Sequence, residues 1–264
     1  MSSANYKYIN KLNGKRVLIL GATSGIGFAV AEACFEHGAN IIISGSNPER
    51  LEKTVQRFRD SYGDVQSRIT THVCDLSDEV NLESNVQKLL QAATDNGTHK
   101  LNHVAFTAGN TIPIQSIADV TIPILRKQEV VRFLGPVMIA KHLDSYMERS
   151  PDNSFTITGG VNSWKPQPGW SLPASGGSRV EGLARGLAVD LAPIRVNLVS
   201  PGAIRTELLK RMLSPQVEDL YTQKTLVQRL GRPEDTAEAY LYMMKDGFVT
   251  GTVLDTNGGY LLVI

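Results

Sequence analysis

Cysteine is nearly absent. Cys34 and Cys74 are the only two among 264 residues, which excludes a disulfide-stapled scaffold; each falls in an apolar stretch, one read as helix and one as strand, and is expected to be a reduced core residue. An excess of one charge is also missing. With 27 Lys and Arg against 26 Asp and Glu, the net charge is +1, so nothing grips a nucleic acid or an acidic lipid surface. No apolar run reaches the length of a membrane span, and residues 1–14 are polar without a leader core; a cytoplasmic protein with no membrane partner is expected. His37, His72, His99, His103 and His142 are scattered without ligand spacing, and no metal site is predicted. Repeats, linkers and low-complexity tracts are lacking as well. What remains is a single domain over residues 1–264, with 1–13 as an N-terminal extension, and a small-molecule ligand.

The apolar content of 42% is arranged as alternating short β-branched runs and helical patterns. Arg16 to Leu20 reads as a strand, followed by Gly21-Ala-Thr-Ser-Gly25-Ile-Gly27 and a helix from Phe28 to His37. A Gly-rich turn admits phosphate oxygens to bare backbone, and the unpaired N–H groups of a first helical turn attract anions. The spacing is GxxxGxG rather than the commoner GxGxxG of dinucleotide sites. Strands follow at Asn40–Ser44, Ile69–Cys74, Leu101–Thr107, Ser154–Thr158, Arg195–Val199 and Thr252–Asp255. Helices are expected from about Pro48, over Asp78–Ala93, as one long element from Ile117 to Met147, and over Ser175–Leu191. This alternation predicts an α/β fold: a doubly wound Rossmann domain with a seven-stranded parallel sheet, helices on both faces and right-handed crossovers. Asp75 and Thr107-Ala108-Gly109 then end strands at the carboxyl edge, where open sheets bind ligands. Two short helical pieces between Glu207 and Leu230 form a lid, over residues 205–230.

After the second strand, a dinucleotide fold that takes NAD(H) carries an acid for the ribose 2′-hydroxyl. Ser44-Gly-Ser46-Asn47, with Arg50 one turn on, offers donors and a cation instead. NADP(H) is the cofactor expected.

Gly21 to Gly27, Cys74-Asp75-Leu76, Thr107 to Gly109, Arg195-Val-Asn-Leu-Val-Ser-Pro201-Gly202 with Thr206, and Gly251-Thr-Val-Leu ahead of Gly258-Gly259 occur in that order. Together they resemble the short-chain dehydrogenase/reductase (SDR) family over nearly the whole chain. The resemblance implies a nicotinamide dinucleotide cofactor and a homodimer or homotetramer built through two central helices. It places the pyrophosphate at Gly21, Thr23, Ser24, Gly25, Ile26 and Gly27, and Asp75 and Leu76 near the adenine. Ser46, Asn47 and Arg50 would meet the 2′-phosphate, Thr107, Ala108 and Gly109 would wall the cofactor, and Pro201, Gly202, Ile204 and Thr206 would hold its nicotinamide end.

The family's Tyr-x-x-x-Lys pair is missing. Aligning on Glu181-Gly-Leu puts Pro173 and Gly177 at its positions; counting from the fifth strand puts Leu172 and Gly176 there. No tyrosine lies between Tyr146 and Tyr221, so no shift of register restores it. The helper Ser falls on Gly159 beside Thr158, and the relay Asn falls on Arg132. An Arg is a poor acid but a strong fixed donor to a carbonyl or developing oxyanion. Arg132 and Lys165-Pro-Gln167-Pro-Gly-Trp170 are similar to the fungal reductases that also act as Diels–Alderases in bicyclic prenylated-indole alkaloid pathways. That branch also lacks the Tyr and Lys, and carries an Asp where this chain has Gln167, a neutral amide that cannot take a proton.

Arg132, Gln167, Trp170 and Thr158 are therefore the candidate catalytic residues. Trp170 either stacks on a flat substrate or anchors its loop; Gln167 either bonds a substrate amide or points into solvent; Lys165 reads as surface. Three functions stay open. The chain is an NADP(H)-dependent reductase of an activated C=N bond in secondary metabolism, a non-redox cyclase or isomerase acting on a polycyclic intermediate with the cofactor as a wall, or a non-catalytic NADP(H)-binding protein.

Overall fold

Short runs of apolar, mostly β-branched residues form the strands, and strong crossover helices keep them parallel. In the computed structural model, which describes residues 6–111, 114–212 and 215–263, these are β1 (Arg16–Leu20), β2 (Asn40–Gly45), β3 (Ile69–Val73), β4 (His103–Phe106), β5 (Ser154–Thr158), β6 (Arg195–Pro201) and β7 (Val253–Thr256). They pair in parallel in the order β3-β2-β1-β4-β5-β6-β7. The order reverses between β1 and β4, so the connections leaving the carboxyl ends of those two strands run to opposite sides of the sheet and leave a crevice above them. Central strands are covered on both sides; every residue of β4 and β6 is buried, as expected of a parallel sheet covered twice.

One apolar layer packs α1 (Gly25–Glu36), α2 (Pro48–Tyr62) and α9 (Pro233–Lys245) against the sheet; the other packs α3 (Leu82–Ala93), α5 (Gly135–Tyr146) and α6 (Ser171–Asp190). The first five residues of the expected N-terminal extension lie outside the described residues; of the rest, Ile9–Leu12 forms a single 3-10 turn. The segment expected as a lid holds α7 (Glu207–Met212) and α8 (Pro215–Gln223), with 213–214 outside the described residues. Among the described residues no helix is long and apolar enough to cross a membrane, and no cluster of three His, Cys, Asp or Glu stands ready for a metal.

Three boundaries differ from the sequence reading, each for a local reason. The long helix expected from Ile117 starts at α4 (Ile122–Glu129), with Pro123 in its first turn, and is broken by a π-helical turn, Val130–Leu134, before α5. The helix expected from Asp78 starts at Leu82 because the Asp78 carboxylate is spent on a preceding turn, accepting the Asn81 backbone N–H at 3.2 Å and its amide at 2.8 Å. Helix α6 starts at Ser171, four residues before the expected Ser175. Pro173 sits in its first turn, where a missing N–H costs nothing.

His103 on β4 is 1% exposed and bonds Ser154 Oγ through Nδ1 at 2.9 Å. Burial first, then Arg195 and Lys15, push its pKa down to about 3. The imidazole therefore stays neutral in the fold while an unfolded chain protonates below about pH 6.5. Stability falls with pH through the window from about 6.5 to about 3. Chemical denaturation at pH 5 is expected to show about 2 kcal/mol less stability from this group than at pH 7.5. His103→Leu should flatten that acid limb, and an unchanged limb would remove His103 as its origin.

Candidate active site

The crevice at the switch point is a cleft of about 540 Å³. Its floor is built by local backbone. Gly21 has φ +83°, and a Cβ there would stand 2.6 Å from Ala108 Cα; only a glycine lets the end of β1 pass the end of β4 so closely. Ser24 precedes α1 in extended conformation and makes no side-chain cap bond, leaving the first-turn N–H groups of that helix aimed into the cleft. Thr107 Oγ1 donates to Leu20 O at 2.6 Å and ties the two strand ends together.

The cleft is lined by Gly21, Thr23, Ser24, Gly25, Ile26, Gly27, Ser46, Arg50, Asp75, Leu76, Thr107, Ala108, Gly109, Pro201, Gly202, Ile204 and Thr206. Asn47 alone among the expected cofactor residues is not on that wall. Its side chain caps α2 by accepting the Arg50 backbone N–H at 2.9 Å. Arg50 itself reaches across the cleft mouth and pairs with Glu207 of the lid at 3.2 Å, both side chains being well exposed. Asp75 folds onto Ser77, accepting its N–H at 2.8 Å and its hydroxyl at 2.6 Å.

Arg132, Thr158, Gln167 and Trp170 also reach this cleft. Arg132 projects from the π-helical turn, a break in regular helix that re-aims a side chain. Its guanidinium lies flat on Gly109, where a Cβ would meet Nη2 at 2.6 Å. Nε donates to Asn110 Oδ1 at 3.2 Å and Nη2 to Asn110 O at 2.5 Å. Among the described residues no carboxylate pairs with it, since nearby Glu129 is held by Arg179 at 2.6 Å. Burial lowers its pKa to about 10, so the cation persists at neutral pH with an unspent Nη1.

The other candidates are more committed than the sequence indicated. Thr158 Oγ1 donates to Phe106 O at 2.7 Å and accepts from Tyr240 at 2.5 Å, so its proton is used by the sheet. Gln167 does not point into solvent: its Nε2 donates to Tyr260 OH at 2.7 Å. Nor is Lys165 a free surface cation. Its Nζ donates to the carbonyls of Tyr260, at 2.9 Å, and Val263, and lies 4.7 Å from the Tyr260 ring centroid. Tyr260 stacks on Tyr221 of α8 with centroids 6.0 Å apart, and both tyrosines line the cleft. Asn110, Tyr221 and Tyr260 were not found from sequence. Only Asn110 left a signal, as the residue directly after Thr107-Ala-Gly109.

A second cavity of about 90 Å³ opens between α4, the π-helical turn and α6. Leu172, Pro173, Gly176 and Gly177 line it; these are the positions onto which the missing Tyr and Lys fall by either alignment. It shares Asn110, Arg132, Thr158, Gly159 and Asn162 with the main cleft.

A seven-stranded parallel Rossmann sheet with a glycine-floored cleft at its switch point defines a nucleotide-binding fold of the dehydrogenase type, and the SDR-like Rossmann domain profile matches residues 8–263. The chain belongs to the short-chain dehydrogenase/reductase family. It is 47% identical over 259 residues to the short-chain dehydrogenase/reductase malC of Malbranchea aurantiaca, covering 95% of this chain and 96% of that one. It is 36% identical over 261 residues to the short-chain dehydrogenase/reductase fsr5 of Gibberella fujikuroi, covering 97% and 98%. The solved structure of the MalC reductase/Diels-Alderase from Malbranchea aurantiaca superposes with a TM-score of 0.90 at 45% identity, covering 96% of this chain and 99% of that one. The kinship thus lies with fungal reductases of the branch that the Arg132 and Trp170 motifs resemble.

Proposed function

We propose that this protein is an NADP(H)-dependent reductase of secondary metabolism that acts on an activated C=N bond in a polycyclic substrate. The observation that carries the proposal is the buried, carboxylate-free Arg132 lying on Gly109 in a cleft whose Tyr and Lys positions hold only Leu, Pro and Gly. Reduction of a ketone leaves an alkoxide that needs an acid. An iminium carbon that accepts hydride becomes a neutral amine with no proton required. A nicotinamide cofactor, when bound, supplies that hydride.

The chain's own residues divide the remaining work. Gly21 and the uncapped start of α1 suit a pyrophosphate, Ser46 and Arg50 suit a 2′-phosphate, and Thr107 to Gly109 form the wall behind the nicotinamide. Arg132 donates to a substrate carbonyl and fixes its orientation. Trp170 offers a face to a flat ring or a cation. Gln167, held by Tyr260, closes the far side as a neutral wall and takes no proton. This favours reduction over the carboxylate-assisted cyclisation that the Diels–Alderase branch implies, and a cyclase that keeps the cofactor as a wall is the second reading. The two buried, unpaired cysteines fit a reducing, cytoplasmic setting, and we take the working unit to be a homodimer or homotetramer.

Titration with NADPH and NADH, followed by nicotinamide fluorescence, tests the cofactor. NADPH should bind at least about 10-fold more tightly, because a charge-assisted bond from Arg50 to the 2′-phosphate is worth roughly a factor of 10 to 100. Arg50→Ala should erase most of that difference and leave NADH binding unchanged. Equal affinities would refute the NADP(H) preference. Binding of neither would sink the reductase and the cofactor-walled cyclase together.

A further inference from the structure

The cation that suits a 2′-phosphate is already engaged. Arg50 lies in the first turn of α2 and lines the cleft; its Nη2 donates at 3.2 Å to Oε2 of Glu207, the first residue of α7. Among the described residues no other side-chain hydrogen bond joins α7 to the rest of the domain. Thr206 caps the helix locally, accepting the Leu209 N–H at 3.2 Å, and Arg205 pairs with Glu218 of α8 at 2.6 Å. Glu207 also has a second cation within reach: Arg211, one turn on in α7, lies 3.8 Å from the same carboxylate oxygen.

We infer that Glu207 is a cofactor-specificity residue: it competes with the 2′-phosphate of NADPH for Arg50, so that gripping the phosphate releases α7. This deepens the NADP(H) reading and rests on it for the identity of the phosphate. The competition follows from charge. A phosphate monoester carries about 1.5 to 2 negative charges near neutral pH and three strong acceptor oxygens, and it takes a guanidinium through two parallel bonds. Glu207 uses one. A carboxylate kept on the same guanidinium would stand beside that charge and repel it. The ion pair is the side that yields, because its partners are 46% and 59% exposed and such pairs hold by a factor of about 5 at most. A charge-assisted bond to phosphate is worth roughly a factor of 10 to 100. Once displaced, Glu207 turns to Arg211 and keeps a partner. NADH brings a neutral hydroxyl to the same place and leaves the pair intact. By linkage, the phosphate loosens α7 by the same factor by which the docked α7 weakens the phosphate. The choice of cofactor is thereby tied to the freedom of a helix whose Leu208 and Leu209 line the cleft.

The test is a titration of the full chain with NADPH and with NADH at low ionic strength, where exposed charges are least screened. Wild type, Glu207→Gln, Arg50→Ala and the double variant are compared. Glu207→Gln should bind NADPH about 3- to 5-fold more tightly and NADH as wild type does. In the Arg50→Ala background the same change should move neither affinity. An NADH affinity shared by all four also reports that they fold. Deuterium uptake by the backbone of 207–212 supplies the second readout: in wild type it should be faster with NADPH bound than with NADH bound, and in Glu207→Gln the difference should vanish. Unchanged NADPH affinity in Glu207→Gln would overturn the inference. So would weaker binding, which would mean that Glu207 orients Arg50 for the phosphate, or a tightening that persists without Arg50. Equal uptake with the two cofactors in wild type would overturn the coupling to α7. Equal NADPH and NADH affinities in wild type would instead refute the NADP(H) preference, and a gain in NADPH affinity by Glu207→Gln would then still uphold the competition.

Discussion

Arg132→Ala is expected to lower kcat/KM for a cyclic iminium substrate by about 10- to 100-fold, the worth of a charge-assisted hydrogen bond that orients the substrate carbonyl, with NADPH affinity within about threefold of wild type. The two effects separate because of where the side chain lies. Its guanidinium is anchored to Asn110 and packed on Gly109, whereas the anion-binding backbone at Gly21 and α1 belongs to other elements. Arg132→Lys keeps a charge but loses the planar fork that Asn110 holds at two points, so it should recover only part of the rate. With the pKa lowered to about 10 by burial, the cation is present below that value and lost above it. The rate should therefore be flat through neutral pH and decline as pH rises past about 10. Turnover by Arg132→Ala at the wild-type rate would remove the residue from the mechanism.

Gly21→Ala should cost about 3 kcal/mol of stability and most of the cofactor affinity. Two penalties add. The residue holds φ +83°, which charges an L side chain roughly 1–2 kcal/mol, and its Cβ would stand 2.6 Å from Ala108 Cα and 2.9 Å from Thr107 C. Those are backbone atoms that cannot swing aside, because Thr107 N donates to Leu20 O at 3.0 Å and Thr107 Oγ1 to the same oxygen. Overpacking of this sort costs about 1–3 kcal/mol. Gly63→Ala is the control. Gly63 has φ +78° but nothing within 4 Å of a Cβ, so it should show the conformational penalty alone. Thermal melts of the two variants measure the difference, expected at several degrees for a domain of this size. Equal losses would mean that the close approach of β1 to β4 carries no energy.

The cleft wall proposed to take the cofactor was legible because its parts are contiguous. A strand, a glycine turn and a helix start are neighbours in sequence, and the parallel sheet brings strand ends to one edge whatever lies between them. The positions of Gly21 to Gly27 and Thr107 to Gly109 followed from that rule, and Pro201, Gly202, Ile204 and Thr206 from the family resemblance; all of these line one cleft. The substrate half depends on contacts that no local pattern encodes. Lys165 meets Tyr260 and Val263 across more than ninety residues, Gln167 meets the Tyr260 hydroxyl, and Asn110 grips a side chain on a π-helical turn. Lys165 read as surface, and Gln167 stayed open between a substrate amide and solvent, because a Pro-rich loop has no periodicity from which to infer a buried face. The start of α6 was missed because Pro173 reads equally well as the end of a loop or as the first turn of a helix.

The packing around α6 bears on how this chain can change over generations. Pro173 is buried in the first helical turn, where its ring fixes the backbone. Gly177 faces Ser163, with 3.1 Å left for a Cβ, and the Ser163 hydroxyl is in turn bonded to Glu181. Placing Tyr and Lys at 173 and 177 would thus fill the 90 Å³ cavity, crowd the turn at Ser163 and add a third cation to a wall that already holds Arg132 and Arg179. Two substitutions would therefore not be enough to build a working Tyr-x-x-x-Lys pair on this helix, because the neighbouring side chains are packed around the gap.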